Sequence, residues 1–299
     1  MTLNQRDAIL SLLATDSDGF KPIEVQKLMF VYSREDAAVP LYDFVPFKKG
    51  GYSFSLAHDI SSLGEEGLLV EMGTREVDRR VRITDSGMAY VVSRSKISRE
   101  MVSFRRRYTL RDKKLVADVY KRYPYWASNS RILDFVIPND EKSQEVIRNA
   151  KYGKVMGLAT IGYEGKSPES YFNTLITRGV SVLCDVRKNP ISRKYGFSKS
   201  VMMEICDGVG IEYRHYPNLG IPSFERKELV TQADYDELFG RYEKTILNKQ
   251  VDDIAALASL VDSGEGVALT CFERNPAQCH RTRVARAVAA KLGITFEEY

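Results

Sequence analysis

Apolar and polar residues follow two different patterns along this chain, and the change falls near residue 155. Over residues 3–63, apolar positions recur at helical spacing in three segments. Two short strand-like runs follow, Leu68–Met72 and Arg80–Ile83. Helical spacing buries one stripe of a helix, whereas a strand buries one face. Three helices followed by a strand pair predict a winged-helix-like domain, a fold that reads DNA or binds protein partners.

From Val155 onward, short apolar strands alternate with helices. Ser167 followed by Pro168 is typical of a helix start, because serine caps the first turn and proline fits its first position. Alternating strands and helices indicate a parallel sheet covered by helices, so the predicted fold class is α/β with a three-layer, mostly parallel sheet domain at the C-terminus. The predicted strands are 155–161, 180–184, 211–216 and the run that begins at Val267.

These patterns predict three parts: a winged-helix-like domain over 1–95, a basic helical connector over 96–154 and an α/β domain over 155–299. The 299 residues are enough for two domains. No apolar run in the sequence is long enough to span a bilayer, and the first residues are polar, without the apolar core expected of a signal peptide. Its four cysteines form no C-x-x-C pair, which argues against a disulfide scaffold and favours the reducing cytoplasm.

Positive charge is concentrated in the middle of the chain. Residues 101–155 hold 13 Lys and Arg against 6 Asp and Glu, whereas the whole chain has a net charge of only +4. Such a stripe suits nucleic-acid phosphates, and an equally open alternative is a solvated helix face beside an acidic domain. The candidate nucleic-acid-binding residues are Arg105, Arg106, Arg107, Lys113 and Lys114.

Reactive side chains follow every predicted strand of the α/β domain. Because parallel strands end at one edge of a sheet, and ligands bind beyond those ends, we expect these side chains to form one site. Tyr163 and Glu164 follow the first strand, and His215 ends the third. The second strand is followed by Asp185, Arg187, Arg193 and Tyr195, and the fourth by Cys271, Glu273, Cys279, His280 and Arg281.

Residues 156–292 resemble the bacterial and archaeal family known as domain of unknown function 488. The matching motifs are Thr160–Tyr163, Asp185–Arg187, Tyr195–Ser198, Tyr216–Gly220, Cys271–Glu273 and Cys279–Arg281. The segments Tyr42–Phe47 and Gly51–Phe54 are similar to a winged-helix-like extension found with that family. The resemblance implies the α/β fold but no settled activity, so the chemistry has to come from the residues.

The first chemical interpretation rests on two carboxylates. Asp185 and Glu273, assisted by Glu164, suit acid and base roles across one bond, and a glycosidic bond is the one most naturally cleaved by such a pair. Arginines would hold phosphate or carboxylate groups in forked geometry, and tyrosines would stack on a base. These are Arg187, Arg193 and Arg281, with Tyr163 and Tyr195. The alternative is a purely structural network of ion pairs at the sheet edge.

A thiol mechanism is the second chemical interpretation. A cysteine at a strand end that faces a helix N-terminus has a lowered pKa, as in rhodaneses and cysteine phosphatases. Those enzymes use a C-x5-R loop, whereas the next arginines after Cys271 are Arg274 and Arg281. Because Glu273 also adds a negative charge there, the sequence favours the carboxylate over Cys271. The spacing of Cys271, Cys279, His280 and His215 is not that of a structural zinc site, so no metal and no cofactor are predicted.

The sequence therefore predicts an enzyme that acts on a nucleotide or nucleic acid, hydrolytic at a glycosidic or base-bearing position. The alternative is a non-enzymatic sensor whose C-terminal domain binds a ligand and whose N-terminal module binds DNA or a protein. Neither interpretation involves a membrane, and the sequence does not indicate an oligomeric state.

Overall fold

The computed structural model of the chain describes residues 3–75, 77–92, 95–226 and 229–299. It separates into two compact units, residues 1–151 and 152–299. The boundary lies close to residue 155, where the sequence pattern changes. Residues 96–151, which are most of the connector expected over 96–154, belong to the first unit.

The first unit is mainly helical and contains two antiparallel strand pairs. Its helices are α1 (Leu3–Leu13), α2 (Pro22–Glu35), α3 (Phe54–Glu65), α4 (Asp85–Val92), α5 (Ser95–Arg107), α6 (Asp112–Arg122), α7 (Pro124–Ala127), α8 (Leu133–Val136) and α9 (Glu141–Asn149). Its strands are β1 (Val45–Phe47), β2 (Gly50–Tyr52), β3 (Leu69–Met72) and β4 (Arg80–Ile83). The expected order of helices and strand pair is present, while the winged-helix assignment itself stays a prediction.

Local sequence fixes where these helices begin. At α2, Pro22 occupies the first turn, and the Glu24 carboxylate accepts a hydrogen bond of 2.8 Å from the Lys21 amide. At α3, the Ser53 hydroxyl accepts from the Leu56 amide at 3.2 Å, as the sequence predicts for a serine cap.

The basic segment joins the first unit through its apolar side chains. Met101 and Phe104 of α5 and Leu115 of α6 lie in the same buried cluster as α1 and α2. Tyr120 of α6 packs in a second cluster with residues of α7, α8 and α9. Burial of one face of each helix outweighs the like charges on the other face, which explains why 96–151 is no free connector.

The second unit is a mixed α/β domain with an all-parallel sheet, in agreement with the predicted fold class. Its helices are α10 (Pro168–Thr177), α11 (Lys199–Val209), α12 (Gln232–Thr245), α13 (Val251–Asp262) and α14 (His280–Leu292). Its strands are β5 (Gly157–Gly162), β6 (Val182–Asp185), β7 (Glu212–His215), β8 (Gly266–Cys271) and β9 (Glu297–Glu298). The strand order is β7-β6-β8-β5-β9.

Strand β8 lies between β5 and β6, although it comes last of the four long strands in the chain. The register pairs Gly162 with Cys271, and Asp185 with both Thr270 and His215. Helix α14 packs on β5 and β8 and buries Val284 and Val288 in the core. The carboxyl ends of four strands therefore come together, and β8 brings Cys271 between Tyr163 and Asp185. None of the described helices is both long and apolar enough to cross a membrane.

Candidate functional site

Asp185, at the end of β6, is fully buried and fully engaged in hydrogen bonds. Its carboxylate accepts from the Arg187 Nε atom at 2.8 Å, from the Arg187 amide at 3.0 Å and from the Tyr213 hydroxyl at 2.7 Å. Arg187 is 6% exposed, and a second hydrogen bond from its Nη2 atom makes the pair bidentate. Burial alone lowers the pKa of Arg187, but the hydrogen bonds and charge of Asp185 outweigh it and raise that pKa. This pair is a buried structural ion pair.

Aromatic rings complete the enclosure of Arg187. Its Nη1 atom donates to the Tyr163 hydroxyl at 2.8 Å and to the Phe197 carbonyl at 2.9 Å. The Tyr163 ring stacks on Phe197, with centroids 4.4 Å apart and planes 8° from parallel. Tyr163 is therefore held as a rigid wall of the site, with one ring face already covered by Phe197.

A second cluster surrounds Cys271 at the end of β8. The Cys271 sulfur lies 3.1 Å from the Oε2 atom of Glu273 and 3.7 Å from the Nδ1 atom of His280. Arg226, from the 3-10 helix Ser223–Arg226, donates to Glu273 Oε1 at 2.7 Å and to His280 Nδ1 at 2.8 Å. A buried thiol and imidazole thus lie next to a partly exposed carboxyl group and guanidinium.

The hydrogen bonds of His280 assign its tautomer. Its Nε2 atom lies 2.8 Å from the Val186 carbonyl, which can only accept, so Nε2 carries the proton. Its Nδ1 atom accepts from Arg226, which can only donate. The ring is therefore neutral, and the cation of this cluster is Arg226.

The pKa values of Cys271 and Glu273 move toward one another. Burial alone raises the pKa of the Cys271 thiol, but a hydrogen bond from Cys279, the His280 ring and the charge of Arg226 outweigh it, so this pKa falls well below its ordinary value. Because His280 is neutral, we attribute the fall to Cys279 and Arg226. Burial raises the pKa of Glu273, the neighbouring Cys271 raises it further, and Arg226 opposes the rise. The directions favour a thiolate at Cys271 and make Glu273 a weaker acid than an exposed carboxyl group.

Cys279 supports that thiolate from the start of α14. It is the N-cap residue of the helix, it is 1% exposed, and burial together with the adjacent Cys271 raises the pKa of its thiol well above the ordinary value. Cys279 therefore keeps its proton and donates a hydrogen bond to the Cys271 sulfur. The free amides and dipole of a helix N-terminus also stabilise negative charge there.

Two further predicted site residues fix the loop after β8 and do not line the cavity described below, and a glycine assists them. The guanidinium of Arg281 is 1% exposed and donates to the backbone carbonyls of Glu273 and Arg274. Glu164 accepts from the Arg274 amide at 2.8 Å. Gly162 allows the close approach, because a Cβ atom there would lie 2.0 Å from the Glu273 carbonyl oxygen. The loop that carries Glu273 is therefore held by α14 and β5 together.

An open cavity of about 500 Å³ lies above Cys271. Tyr163, Phe272 and Glu273 contribute to its wall together with five cationic side chains, Arg187, Lys188, Arg193, Lys194 and Arg226. The charge of Arg187 is balanced by Asp185 and that of Arg226 is shared with Glu273, so Lys188, Arg193 and Lys194 provide the excess. Such a cavity suits an anionic ligand.

The cavity receives only some of the predicted site residues. Tyr163, Arg187, Arg193, Cys271 and Glu273 line it, whereas seven others lie outside the set of described lining residues: Glu164, Asp185, Tyr195, His215, Cys279, His280 and Arg281. His215 bonds to the Arg187 carbonyl at 2.9 Å and to Lys199 at 3.2 Å, so it supports the loop after β6. Tyr195 is 40% exposed. Asp185 and Glu273 thus do not face one another across a shared space.

The same cluster could also hold a metal ion. The candidate coordinating atoms of Cys271, Cys279 and His280 lie within 4.8 Å of one another. Two sulfurs and an imidazole suit zinc and similar metals. However, the lone pair that His280 would offer already accepts from Arg226, and a guanidinium at that position repels a cation. The geometry therefore favours a thiolate paired with Arg226.

The predicted nucleic-acid-binding residues of the first unit differ in their surroundings. Arg105 is half-buried, lies over the Phe20 ring and donates to the Tyr108 carbonyl. Arg107 pairs with Asp36. Lys113 lies 4.7 Å from the centre of the Phe135 ring, while Arg106 and Lys114 are exposed. Part of the basic charge is thus used within the unit, and the rest faces solvent.

Two residues that position this chemistry were missed by the sequence interpretation. Arg226 lies in an irregular segment after β7, far in sequence from any strand end, and no spacing rule connects it to Cys271. Tyr213 lies inside β7, where a tyrosine is ordinary, and only the strand pairing places its hydroxyl on Asp185. Sequence alone could have identified Lys194, which follows β6 on the same edge as the predicted site.

Comparison with protein-family models matches residues 167–288 to the family described as domain of unknown function DUF488. No curated protein and no solved structure matches the chain. The match confirms the resemblance and covers β6, β7, β8 and most of α14, whereas the Tyr163 motif lies before it. Residues 167–288 of this chain therefore form a domain of the DUF488 family.

Proposed function

We propose that the C-terminal unit is an enzyme that hydrolyses a phosphate-bearing substrate, a nucleotide or a nucleic acid, through the thiolate of Cys271. The observation that carries the proposal is the 3.1 Å approach of the Cys271 sulfur to Glu273 at the wall of a cationic cavity. A thiolate is a strong nucleophile, and a carboxyl group that keeps its proton is a proton donor. Lys188, Arg193 and Lys194 would bind the phosphate.

The proposed reaction has two steps. The Cys271 thiolate attacks the carbon at the glycosidic or base-bearing position, and that bond breaks as the leaving group takes the proton of Glu273. Water then attacks the same carbon with Glu273 as the base, so the carbon–sulfur bond breaks and the thiolate returns. Arg226 stays charged throughout and stabilises the negative charge on sulfur before and after the covalent stage.

This mechanism differs from the one that the sequence favours. A pair of acting carboxylates requires Asp185 and Glu273 on opposite sides of one bond, but Asp185 is occupied by Arg187 and Tyr213. Glu273 keeps a role as acid and base, and the nucleophile becomes Cys271. Because a thiolate needs a reducing environment to remain active, we place the protein in the cytoplasm.

The substrate screen that tests the proposal uses nucleotides and single- and double-stranded oligonucleotides, with chromatographic detection of released base and sugar phosphate. We expect Cys271→Ser to lose turnover while ligand binding persists. Glu273→Gln should lower turnover about 100-fold, because general acid catalysis contributes that order of rate. Cys206→Ala and Glu237→Gln, which change a thiol and a carboxylate outside the cavity wall, are the controls. Parental turnover by Cys271→Ser would overturn the mechanism.

A non-enzymatic sensor is the second candidate, and one observation favours it. Both carboxylates have partners, Asp185 with Arg187 and Glu273 with Arg226, as expected of a site that only binds. In the same screen, a sensor would bind a phosphate-bearing ligand without releasing any product. Binding would then weaken when Lys188 and Arg193 are replaced by Ala and would be unaffected by Cys271→Ser.

A further inference from the structure

Lys27, in the middle of α2, is buried to 1% exposure. Its ammonium donates to the Gly51 carbonyl at 2.8 Å, although an ammonium carries three hydrogen-bond donors. Among the described residues, the ion pairs at the start of α2 are Lys21 with Asp112 and Glu24 with Arg111, and neither of them involves Lys27. Burial, with a smaller contribution from the charge of Lys49, lowers the pKa of Lys27 to about 7. A buried amine without an anionic partner is costly, so its position calls for a physical reason.

Lys27 lines a cavity of about 520 Å³ in the N-terminal unit. Ile23 of α2, Ile60 of α3 and Val81 of β4 give the cavity apolar walls, and Tyr52 adds an aromatic ring. The cavity lies beside the β1–β2 hairpin, whose Gly51 carbonyl holds the ammonium. An apolar chamber with a few convergent polar groups is the usual form of a small-molecule site.

The other cations around this cavity are placed differently from Lys27. Lys21 pairs with Asp112 at 2.5 Å, and Arg79 pairs with Glu71. Lys49 is the third such cation. The side chains of all three are partly or largely exposed, so water also screens their charges. Lys27 alone combines full burial with a position against apolar walls, and an anion that reached it would be bound in a medium of low dielectric constant.

We propose that this cavity binds a small amphipathic carboxylate, with its apolar body against Ile23, Ile60 and Val81 and its carboxylate on Lys27. A single negative charge matches one buried ammonium. A phosphate dianion would require several donors held together at one buried point, whereas the other cations of the lining are partly or largely exposed. The site lies wholly within residues 1–151, so it neither depends on nor supports the proposed chemistry of the C-terminal unit.

Binding to the full chain tests the proposal, with benzoate, phenylpropionate and octanoate as probes and their uncharged amides as matched controls. Binding is followed by protein NMR shifts and calorimetry. We expect saturable binding of at least one carboxylate, at least about 10-fold weaker binding of its amide, and loss of binding in Lys27→Met. Lys142→Met, which removes an exposed lysine of α9, should bind as the parent does.

A second variant separates the cavity from the charge. Ile60→Trp keeps Lys27 but fills the chamber, and it should also abolish binding while thermal unfolding confirms a folded protein. Retained binding in either Ile60→Trp or Lys27→Met would overturn the proposal. So would equal binding of acid and amide, or no saturable binding of any of the three carboxylates at millimolar concentration.

Discussion

The sulfur of Cys271 and the Oε2 atom of Glu273 lie 3.1 Å apart, two residues from one another at the end of β8. A thiolate and a carboxylate at this distance repel, so the two groups hold one proton between them and titrate as a coupled pair. The sequence suggests that Glu273 makes Cys271 a poor nucleophile. Arg226 changes the outcome, because its positive charge stabilises the Cys271 thiolate, while burial and the neighbouring sulfur raise the pKa of Glu273 against the effect of the same cation.

Replacement of Arg226 tests its role in that balance. In Arg226→Gln, we expect the pKa of the Cys271 thiol to rise, because the cation that opposes burial is gone. Turnover should fall about 100-fold, the usual effect of losing one charge-stabilising donor. Arg226→Lys should recover part of the rate. An unchanged thiol pKa in Arg226→Gln would show that Cys279 alone supports the thiolate.

Substitution of Asp185 distinguishes a structural role from a catalytic one. Asp185→Asn keeps the shape but leaves Arg187 as a buried unpaired cation, so we expect it to lower the free energy of unfolding by ~3–5 kcal/mol. The double variant Asp185→Asn with Arg187→Met should be more stable than the single variant. Chemical denaturation measures both. A normal stability combined with complete loss of turnover would instead make Asp185 a catalytic residue.

Lys27 predicts a pH dependence of stability. Its pKa is about 7 in the folded protein and near 10.5 when unfolded, so the unfolded state binds more protons between these values. Stability therefore rises with pH from about 7 to 10.5, by an amount on the order of 5 kcal/mol from this residue. Lys27→Met should remove that contribution and stabilise the protein at neutral pH by ~1–4 kcal/mol.

Chemical denaturation across this pH range gives the free energy of unfolding against pH for the parent and for Lys27→Met. The difference between these two curves is the Lys27 contribution, and Lys142→Met is the control. Lys49 is the charged neighbour that also lowers the pKa of Lys27, so Lys49→Met should reduce the slope slightly. Parallel stability curves for the parent and Lys27→Met would contradict the account.

The exposed charges of the first unit predict how nucleic acid would bind. If an oligonucleotide binds there, the affinity falls steeply with salt because phosphate contacts release counterions. Neutralising Arg106, Lys113 and Lys114 should reduce the salt slope by about one unit per lost phosphate contact. Arg107→Ala, whose parent side chain is paired with Asp36, is the control. An unchanged slope in the triple variant would mean that these charges are only solvated.

The sequence predicted the C-terminal fold well because strand and helix signals there are local. The cap at Ser167 and the apolar runs of β5, β6 and β8 need only neighbouring residues to be recognised. Strand β9 was missed, since Glu297–Glu298 is two charged residues long and is defined only by pairing with Ala159 and Thr160. The parallel topology also allowed the sequence to indicate which edge of the sheet carries the candidate site.

The partners of each side chain were not predictable from the sequence. Asp185 and Glu273 look alike in sequence, each at a strand end with arginines nearby. The β7 pairing and the Phe197 loop bury Asp185 against Arg187, whereas Glu273 remains at a cavity wall. Which of the two carboxylates is buried in an ion pair depends on segments that are distant in sequence. Arg226 was missed for the same reason, because it reaches Glu273 from a distant segment.

The charge state of Cys271 is the most direct test of the account. The ultraviolet absorbance of thiolates, measured against pH for the parent and for Cys271→Ser, gives the titration of this one sulfur without any substrate. The account predicts that the difference titrates well below the ordinary range of a thiol, and that Arg226→Gln shifts it upward. A difference that appears only at or above the ordinary thiol pKa would contradict the thiolate, and with it the proposed mechanism.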